Sequence, residues 1–116
     1  MVPFNVQQVG EYTVVEFTTT ALMDPIVLEQ TGAALYRLVE QEDRRLVVLD
    51  FEKVQFMSSP AIGIVLNLNK KLSELKNSRL VLCGVGQRLA ELLRITCLDR
   101  ILTVKPSQRE AINTMT

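Results

Sequence analysis

The sequence contains no histidine and only two cysteines among its 116 residues. Without histidine the chain cannot form a Ser-His-Asp triad, and it lacks a ligand on which most zinc sites depend. Cys83 and Cys97 are far apart in the sequence and form no metal-ligand cluster. We interpret both as reduced, mostly buried thiols. The sequence therefore predicts no metal site, no other cofactor and no catalytic residue.

The chain also lacks net charge and long apolar runs. Its 13 basic residues balance 13 acidic ones, and Arg44-Arg45 and Lys70-Lys71 are pairs rather than basic patches. No apolar stretch approaches the roughly 20 residues that cross a bilayer, and the N-terminus has no basic region followed by an apolar run. The composition predicts a cytoplasmic protein that binds neither nucleic acid nor membrane.

Two patterns that could carry chemistry have simpler explanations. Glu40, Glu42 and Asp43 lie together at the end of a predicted helix, where a solvated cluster explains them better than an acid/base pair. Gly84-Val85-Gly86 follows a strand and precedes a helix, as a dinucleotide-binding loop does. The third glycine of that fingerprint would fall at Leu89, however, so a plain turn is the better interpretation.

What the chain does contain is enough apolar material for a core. At 116 residues and 47% hydrophobic content, it needs neither disulfides nor metals to fold. Neither a repeat nor a Pro/Gly-rich linker divides it, so we predict one domain over residues 1–116. Residues 4–7 and part of residues 12–17 alternate apolar and polar around Val9-Gly10-Glu11, which is typical of a hairpin. Asp24 and Pro25 predict the start of a helix that ends before residue 41.

The remaining elements alternate between strand and helix. Continuous apolar runs at residues 46–49 and 80–83 are typical of strands covered on both faces. Residues 101–104 predict a last strand, and Ser107 to Glu110 form a capping-box pattern that opens a C-terminal helix. The second and third helices are outlined by apolar stripes, which include Ile62, Val65, Leu66, Leu72 and Leu75, and then Leu89, Leu92, Leu93 and Ile95. This order predicts an α/β fold with a mixed, mostly parallel sheet, an N-terminal hairpin plus three further strands, flanked by four helices.

Two hydroxyls, Ser58 and Ser59, stand where the second helix begins. Unpaired N–H groups and the positive end of the helix dipole meet there, so a hydroxyl can cap the helix or be modified with effect. Proline is favoured at the first helical position, so Pro60 predicts Ser59 as the N-cap. The residues alone leave capping and regulation both open.

This segment resembles the signature of the STAS domain, the fold of bacterial anti-sigma factor antagonists. The resemblance is carried by Asp50-Phe51, Val54, Phe56-Met57, Ser58-Ser59 and Ile62-Gly63. In the family pattern, Phe-Met is followed by Asp or Ser, the phosphoacceptor, two small residues, an aliphatic residue and Gly. The match implies that Ser59 is the phosphoacceptor and Ser58 the less favoured site. It places Asp50 at the position of the Asp or Asn that ends the preceding strand. This sequence departs from the commoner pattern in two places: Ser58 stands for Asp, as in stressosome-type members, and Pro60 stands for a small residue.

The resemblance implies a binding module rather than an enzyme. An antagonist of this family binds an anti-sigma factor that is also a serine kinase, which releases the sigma factor. The kinase then phosphorylates the antagonist from ATP, and a serine phosphatase resets the switch. The implied partner-binding residues are Asp50, Met57, Ser58, Ser59, Pro60, Ala61 and Gly63. Two alternatives stay open: a stressosome-like scaffold subunit that assembles as a homo-oligomer, and a small nucleotide- or ligand-binding domain.

Overall fold

The computed structural model describes residues 2–115 and is built on a mixed sheet of five strands, with spatial order β1-β2-β4-β6-β7. The hairpin strand β1 runs antiparallel to β2, and all other neighbours in this sheet are parallel. This confirms the predicted sheet. The strands are β1 (Phe4–Val9), β2 (Tyr12–Phe17), β3 (Ala21–Leu22), β4 (Leu46–Asp50), β5 (Phe56–Met57), β6 (Arg79–Cys83) and β7 (Thr103–Lys105); the helices are α1 (Pro25–Glu40), α2 (Ser59–Ser73), α3 (Gln87–Ile95) and α4 (Gln108–Met115).

The hairpin closes through a two-residue turn. Val9 faces Tyr12 in the strand register, and Gly10 between them has a φ of +63°. A positive φ at the first central position is what a type II′ turn requires, and glycine adopts it at no steric cost. Helix α1 begins as predicted, because the Asp24 carboxylate accepts hydrogen bonds from Ile26 N and Val27 N at 2.9 and 3.2 Å.

The central strands are buried on both faces, as their continuous apolar runs predict. Val47 and Leu49 of β4 face the side covered by α1, α2 and α3, whereas Val48 faces the opposite side with Val81. That second side is covered by the short helix α4, whose Ala111 is fully buried against it. The sheet therefore has a thick helical layer on one face and a thin one on the other.

Three predictions about individual elements are wrong. The last strand begins at Thr103 rather than at Ile101, because a 3-10 turn at Leu98–Arg100 takes up Ile101 N and Leu102 N in bonds to Leu98 O at 3.0 and 2.9 Å. Helix α2 buries Leu68, which the predicted stripe omits, and ends before Leu75. Cys97 is exposed, whereas Cys83 is buried as predicted.

Candidate functional site

The loop that follows β4 is anchored to the core by two buried side chains. Phe51 is fully buried and stacks on Phe17 with ring centroids 5.0 Å apart, and Val54 is only 2% exposed. Phe51 N donates to Cys83 O at 2.9 Å, and Val54 N donates to Phe51 O at 2.9 Å. The chain thus arrives at α2 along a defined path.

A second anchor comes from the short parallel pair β3 and β5, which the sequence analysis missed. Ala21 pairs with Phe56 and Leu22 with Met57, and Ser58 N then donates to Leu22 O at 3.1 Å. Two residues per strand are too few for any hydrophobic alternation to be visible in the sequence. This small sheet holds the start of α2 against the segment that follows β2.

Ser58, and not Ser59, caps the helix. Its backbone is extended, with φ −83° and ψ 167°, and its Oγ accepts from Ala61 N at 3.4 Å. The same hydroxyl donates to Leu22 O at 3.4 Å. The predicted cap was wrong by one residue because proline is tolerated throughout the first helical turn, whose N–H groups have no intrahelical partner, so Pro60 did not fix the register.

Ser59 occupies the first helical position and is exposed, as is Pro60 after it. Within residues 2–115, its hydroxyl has no hydrogen-bond partner, in contrast to that of Ser58. The first turn around it is fixed, since Ile62 N donates to Ser58 O at 3.1 Å. Ser59 therefore presents a free hydroxyl from a rigid position.

We expect Ser58→Ala to lower the free energy of unfolding by about 1 kcal/mol, the usual loss for an N-cap. Ser59→Ala should lower the free energy of unfolding by no more than a few tenths of the Ser58→Ala loss, because the Ser59 hydroxyl makes no hydrogen bond within the described residues that could be lost. Urea unfolding of the two variants and the wild type measures both values. A larger loss for Ser59→Ala would restore Ser59 as the cap.

Asp50 is buried under the loop that follows β4 and is not part of the surface. It is 6% exposed, and its carboxylate accepts from Glu52 N at 2.9 Å and from Gln108 Nε2 at 2.6 Å. The same Gln108 amide donates to Glu16 Oε2 at 2.8 Å, and Glu16 is the register neighbour of Asp50. The amide thus bridges two carboxylates that would otherwise repel each other, and Asp50 acts as a support for the loop.

Gly84 makes this support possible. Its φ is +66°, and a Cβ at this position would lie 2.6 Å from Asp50 Oδ1 and 2.9 Å from Glu52 N. The Gly84-Val85-Gly86 segment is therefore a turn that faces carboxylates. A phosphate placed there would meet negative charge, which argues against a dinucleotide loop at this position.

Cys83 lies against the same acidic group. Burial, and then the charges of Asp50, Glu52 and Glu16, raise the pKa of its thiol from 9.0 to about 12. The folded protein holds this proton more tightly than the unfolded chain does. The stabilising effect of the neutral thiol is therefore complete below pH 9 and is lost as the pH rises toward 12.

We expect iodoacetamide at pH 8 to label native protein at Cys97 alone. Cys97 is exposed, whereas Cys83 is buried and remains protonated, and the thiolate is the reactive form. Intact-mass measurement should give one adduct on the folded protein and two after denaturation in guanidinium. Labelling of Cys83 at the rate of Cys97 in the native protein would contradict this description.

The predicted partner-binding residues separate into two groups in the structure. Asp50 and Ala61 are buried, so they position the surface without forming it. Ser59 and Pro60 are exposed, and the half-exposed residues are Met57, Ser58 and Gly63. Contact of this second group with a partner stays a prediction.

An apolar groove of about 330 Å³ adjoins the turn and was missed by sequence reasoning. Met23, Phe56 and Ile95 line it and are 53%, 42% and 66% exposed. The guanidinium of Arg88 lies over the Phe56 ring, 4.8 Å from its centroid. The predicted stripe of α3 was wrong to include Ile95. One signal was available, because Ile95 lies outside the four-residue spacing of the buried Leu89 and Leu93 and so faces another side of the helix.

The other candidate clusters hold ordinary surface contacts. Glu40 pairs with Lys71 at 3.3 Å, Glu42 with Arg44 at 3.4 Å and Asp43 with Arg45 at 3.0 Å. Among residues 2–115, no group of His, Cys, Asp and Glu side chains could hold a metal ion. No helix in the same range is long and apolar enough to cross a membrane.

Solved structures share this fold over nearly their whole length. An anti-sigma-factor antagonist (STAS) domain protein from Planctomyces limnophilus superposes with a TM-score of 0.86 and 23% identity, covering 100% of this chain and 99% of that one. An anti-sigma factor antagonist from Mycobacterium paratuberculosis gives 0.84 and 19%, covering 97% and 92%. The Bacillus cell fate determinant SpoIIAA in its phosphorylated form gives 0.74 and 22%, covering 97% and 99%.

At these identities the structural likeness shows the fold. The family follows from the sequence itself, because the STAS domain model matches residues 5–111. This match includes nearly all of the hairpin, the Ser58-Ser59 turn and the first half of α4. The protein therefore belongs to the STAS domain family.

Proposed function

We propose that the protein is an anti-sigma factor antagonist that is controlled by phosphorylation of Ser59. In its unphosphorylated form it binds an anti-sigma factor serine kinase, and the sigma factor is released. The kinase transfers the γ-phosphoryl group of ATP to Ser59 Oγ, the complex dissociates, and a serine phosphatase removes the phosphate. The protein is a substrate and a binding partner in this cycle, and it catalyses no step.

The observation that carries this proposal is the contrast between the two serines. Ser58 Oγ is engaged with Leu22 O and Ala61 N, whereas Ser59 Oγ is exposed and has no partner within the described residues. A kinase needs a hydroxyl that it can reach and that the fold does not require. Ser59 meets both conditions, whereas Ser58 is only half-exposed and its hydroxyl is used by the fold.

A surface suited to a partner surrounds Ser59. Pro60 is exposed beside it, and the apolar groove lined by Met23, Phe56 and Ile95 adjoins the turn. Gly63 supports the same interpretation, because a Cβ there would meet nothing within 4 Å. Glycine inside a helix costs about 1 kcal/mol relative to alanine. The fold does not need this glycine, so the close approach of another molecule explains it better.

The experiment that tests the proposal is site mapping after incubation with the cognate kinase and ATP. We expect stoichiometric phosphate on Ser59, none on Ser59→Ala, and normal labelling of Ser58→Ala because the acceptor is intact. The loss of the cap makes Ser58→Ala a control for local disorder. Phosphate found mainly on Ser58 would contradict the assignment of the acceptor. If no kinase encoded in the same operon binds or modifies the protein, the proposed function is contradicted.

A further inference from the structure

Strand β1 forms one edge of the sheet, and β2 is its only strand partner among residues 2–115. Val9 and Tyr12 flank the two-residue turn, so they are a hydrogen-bonded pair, and the antiparallel pattern alternates from there. Thr18 N donates to Pro3 O at 2.8 Å, which agrees with an alternation in which the odd-numbered residues of this segment bond to β2. The backbone groups of Phe4, Val6 and Gln8 therefore point away from β2.

This edge carries none of the features that natural proteins use to prevent strand pairing. Its sequence from Phe4 to Val9 has no charge and no proline, and every residue after Phe4 is exposed. Val6 and Val9 are 45% and 39% exposed. Charged side chains, proline and short length normally protect an edge strand, and an exposed edge without them is a template for another strand.

The other edge of the sheet is protected by two of these features. Strand β7 has only three residues and ends in Lys105, and a proline flanks each edge strand, Pro3 before β1 and Pro106 after β7. Short length and a lysine on an edge strand prevent pairing. The contrast between the two edges of one sheet indicates that β1, unlike β7, is left open to pairing with another strand.

We propose that β1 pairs antiparallel with β1 of a second copy of this chain and forms a two-fold symmetric dimer with a continuous ten-stranded sheet. About a two-fold axis at Val6, the outward groups of Phe4 face those of Gln8, and Val6 faces itself. Such an interface is self-complementary and closes at two copies. A second copy is the favoured occupant because the chain has zero net charge, so two copies do not repel each other at long range.

This dimer leaves the Ser59 turn free. The groove beside the turn is lined by Arg88, Leu92 and Ile95 of α3, and α3 connects β6 to β7 on the far side of the sheet from β1. Each copy would keep its own turn and groove, so the dimer would present two equivalent sites. The proposal therefore stands on the edge strand and does not depend on the function proposed above.

Sedimentation equilibrium of the full chain across a concentration series tests the proposal. Because one six-residue strand makes a small interface, we expect a weak, reversible dimer with a Kd between about 10 µM and 1 mM. Val6→Lys places like charges opposite each other and should raise the Kd about tenfold or more. Val104→Lys, on the protected edge, is the matched control and should leave the Kd unchanged.

Val6→Pro is the second variant, because it removes an outward N–H without removing a β1–β2 bond. The melting temperature of each variant shows whether it is folded. In the wild type, amide exchange at Val6 and Gln8 should slow as the concentration rises, whereas exchange at Gln7, bonded to β2, should not change. A chain that stays monomeric at about 1 mM, or a dimer that survives both Val6 variants, would overturn the proposal. A particle of many copies would also overturn it and would favour a scaffold.

Discussion

Phosphorylation of Ser59 is expected to weaken binding of the anti-sigma factor kinase by about 100-fold or more and to leave the fold intact. A phosphoserine carries a charge of about −1.5 to −2 at neutral pH. Docking would bury this charge in an interface that fits a neutral hydroxyl, and an unpaired buried charge costs about 3–5 kcal/mol. Since 1.4 kcal/mol is about tenfold in affinity, the loss follows from the charge alone.

The free protein should tolerate the phosphate. Negative charge at a helix N-terminus is worth roughly 0.3–1 kcal/mol when exposed. The gain should stay small here because Pro60 has no N–H, Ala61 N is bonded to Ser58 Oγ, and Ile62 N is bonded to Ser58 O. The first turn thus has few donors left to fold the phosphate back onto the helix, and the group stays directed at solvent or at a partner.

Three variants and one modified form make this test. Ser59→Asp should reproduce part of the loss of affinity, and Ser59→Ala should bind persistently. Ser73→Asp adds the same charge at the other end of α2 and should bind as the wild type does. Calorimetric titration gives the affinities, and melting temperatures report on the fold. Wild-type affinity for Ser59→Asp, or unfolding on phosphorylation, would exclude the electrostatic mechanism.

Gly84→Ala is expected to lower the free energy of unfolding by about 2–5 kcal/mol. A side chain in the left-handed region costs about 1–2 kcal/mol. The new Cβ would also displace the Asp50 carboxylate from Glu52 N, which leaves a buried acceptor poorly paired at a further cost of about 1–3 kcal/mol. For a domain of this size the melting temperature should fall by roughly 10–25 °C.

Gly86→Ala is the matched control for this prediction. Gly86 is two positions away, caps α3 with a φ of −74°, and has nothing within 4 Å of its ideal Cβ. Its replacement should cost less than about 1 kcal/mol. Thermal unfolding of both variants decides the matter, and equal losses at the two positions would show that the contact with Asp50 is unimportant.

The sequence predicts the parts of this fold whose signals are local. The apolar runs of β4 and β6 are typical of strands covered on both faces, and Asp24 with Pro25 indicates the start of α1. The turn before α2 is also recognisable, because Phe56-Met57 and Ile62-Gly63 flank the two serines at a family spacing.

What could not be predicted depends on tertiary contacts. The cap is Ser58 rather than the predicted Ser59 because Leu22 O, from a distant segment, accepts hydrogen bonds from Ser58. The exposure of Phe56 follows from how α3 lies beside β5, which the two-residue sequence of β5 does not record. The burial of Asp50 depends on Gln108, a residue 58 positions away in the sequence.

The attachment of Ser58 to Leu22 also has a kinetic consequence. Because the turn is already ordered in the free protein, a partner that docks there does not have to wait for a loop to close, and little conformational entropy is lost at the encounter. Association should then proceed at an ordinary protein–protein rate, of the order of 10⁵–10⁷ M⁻¹ s⁻¹, before and after modification. A negative charge on such a rigid surface mainly raises the dissociation rate. Phosphorylation would therefore shorten the lifetime of the complex.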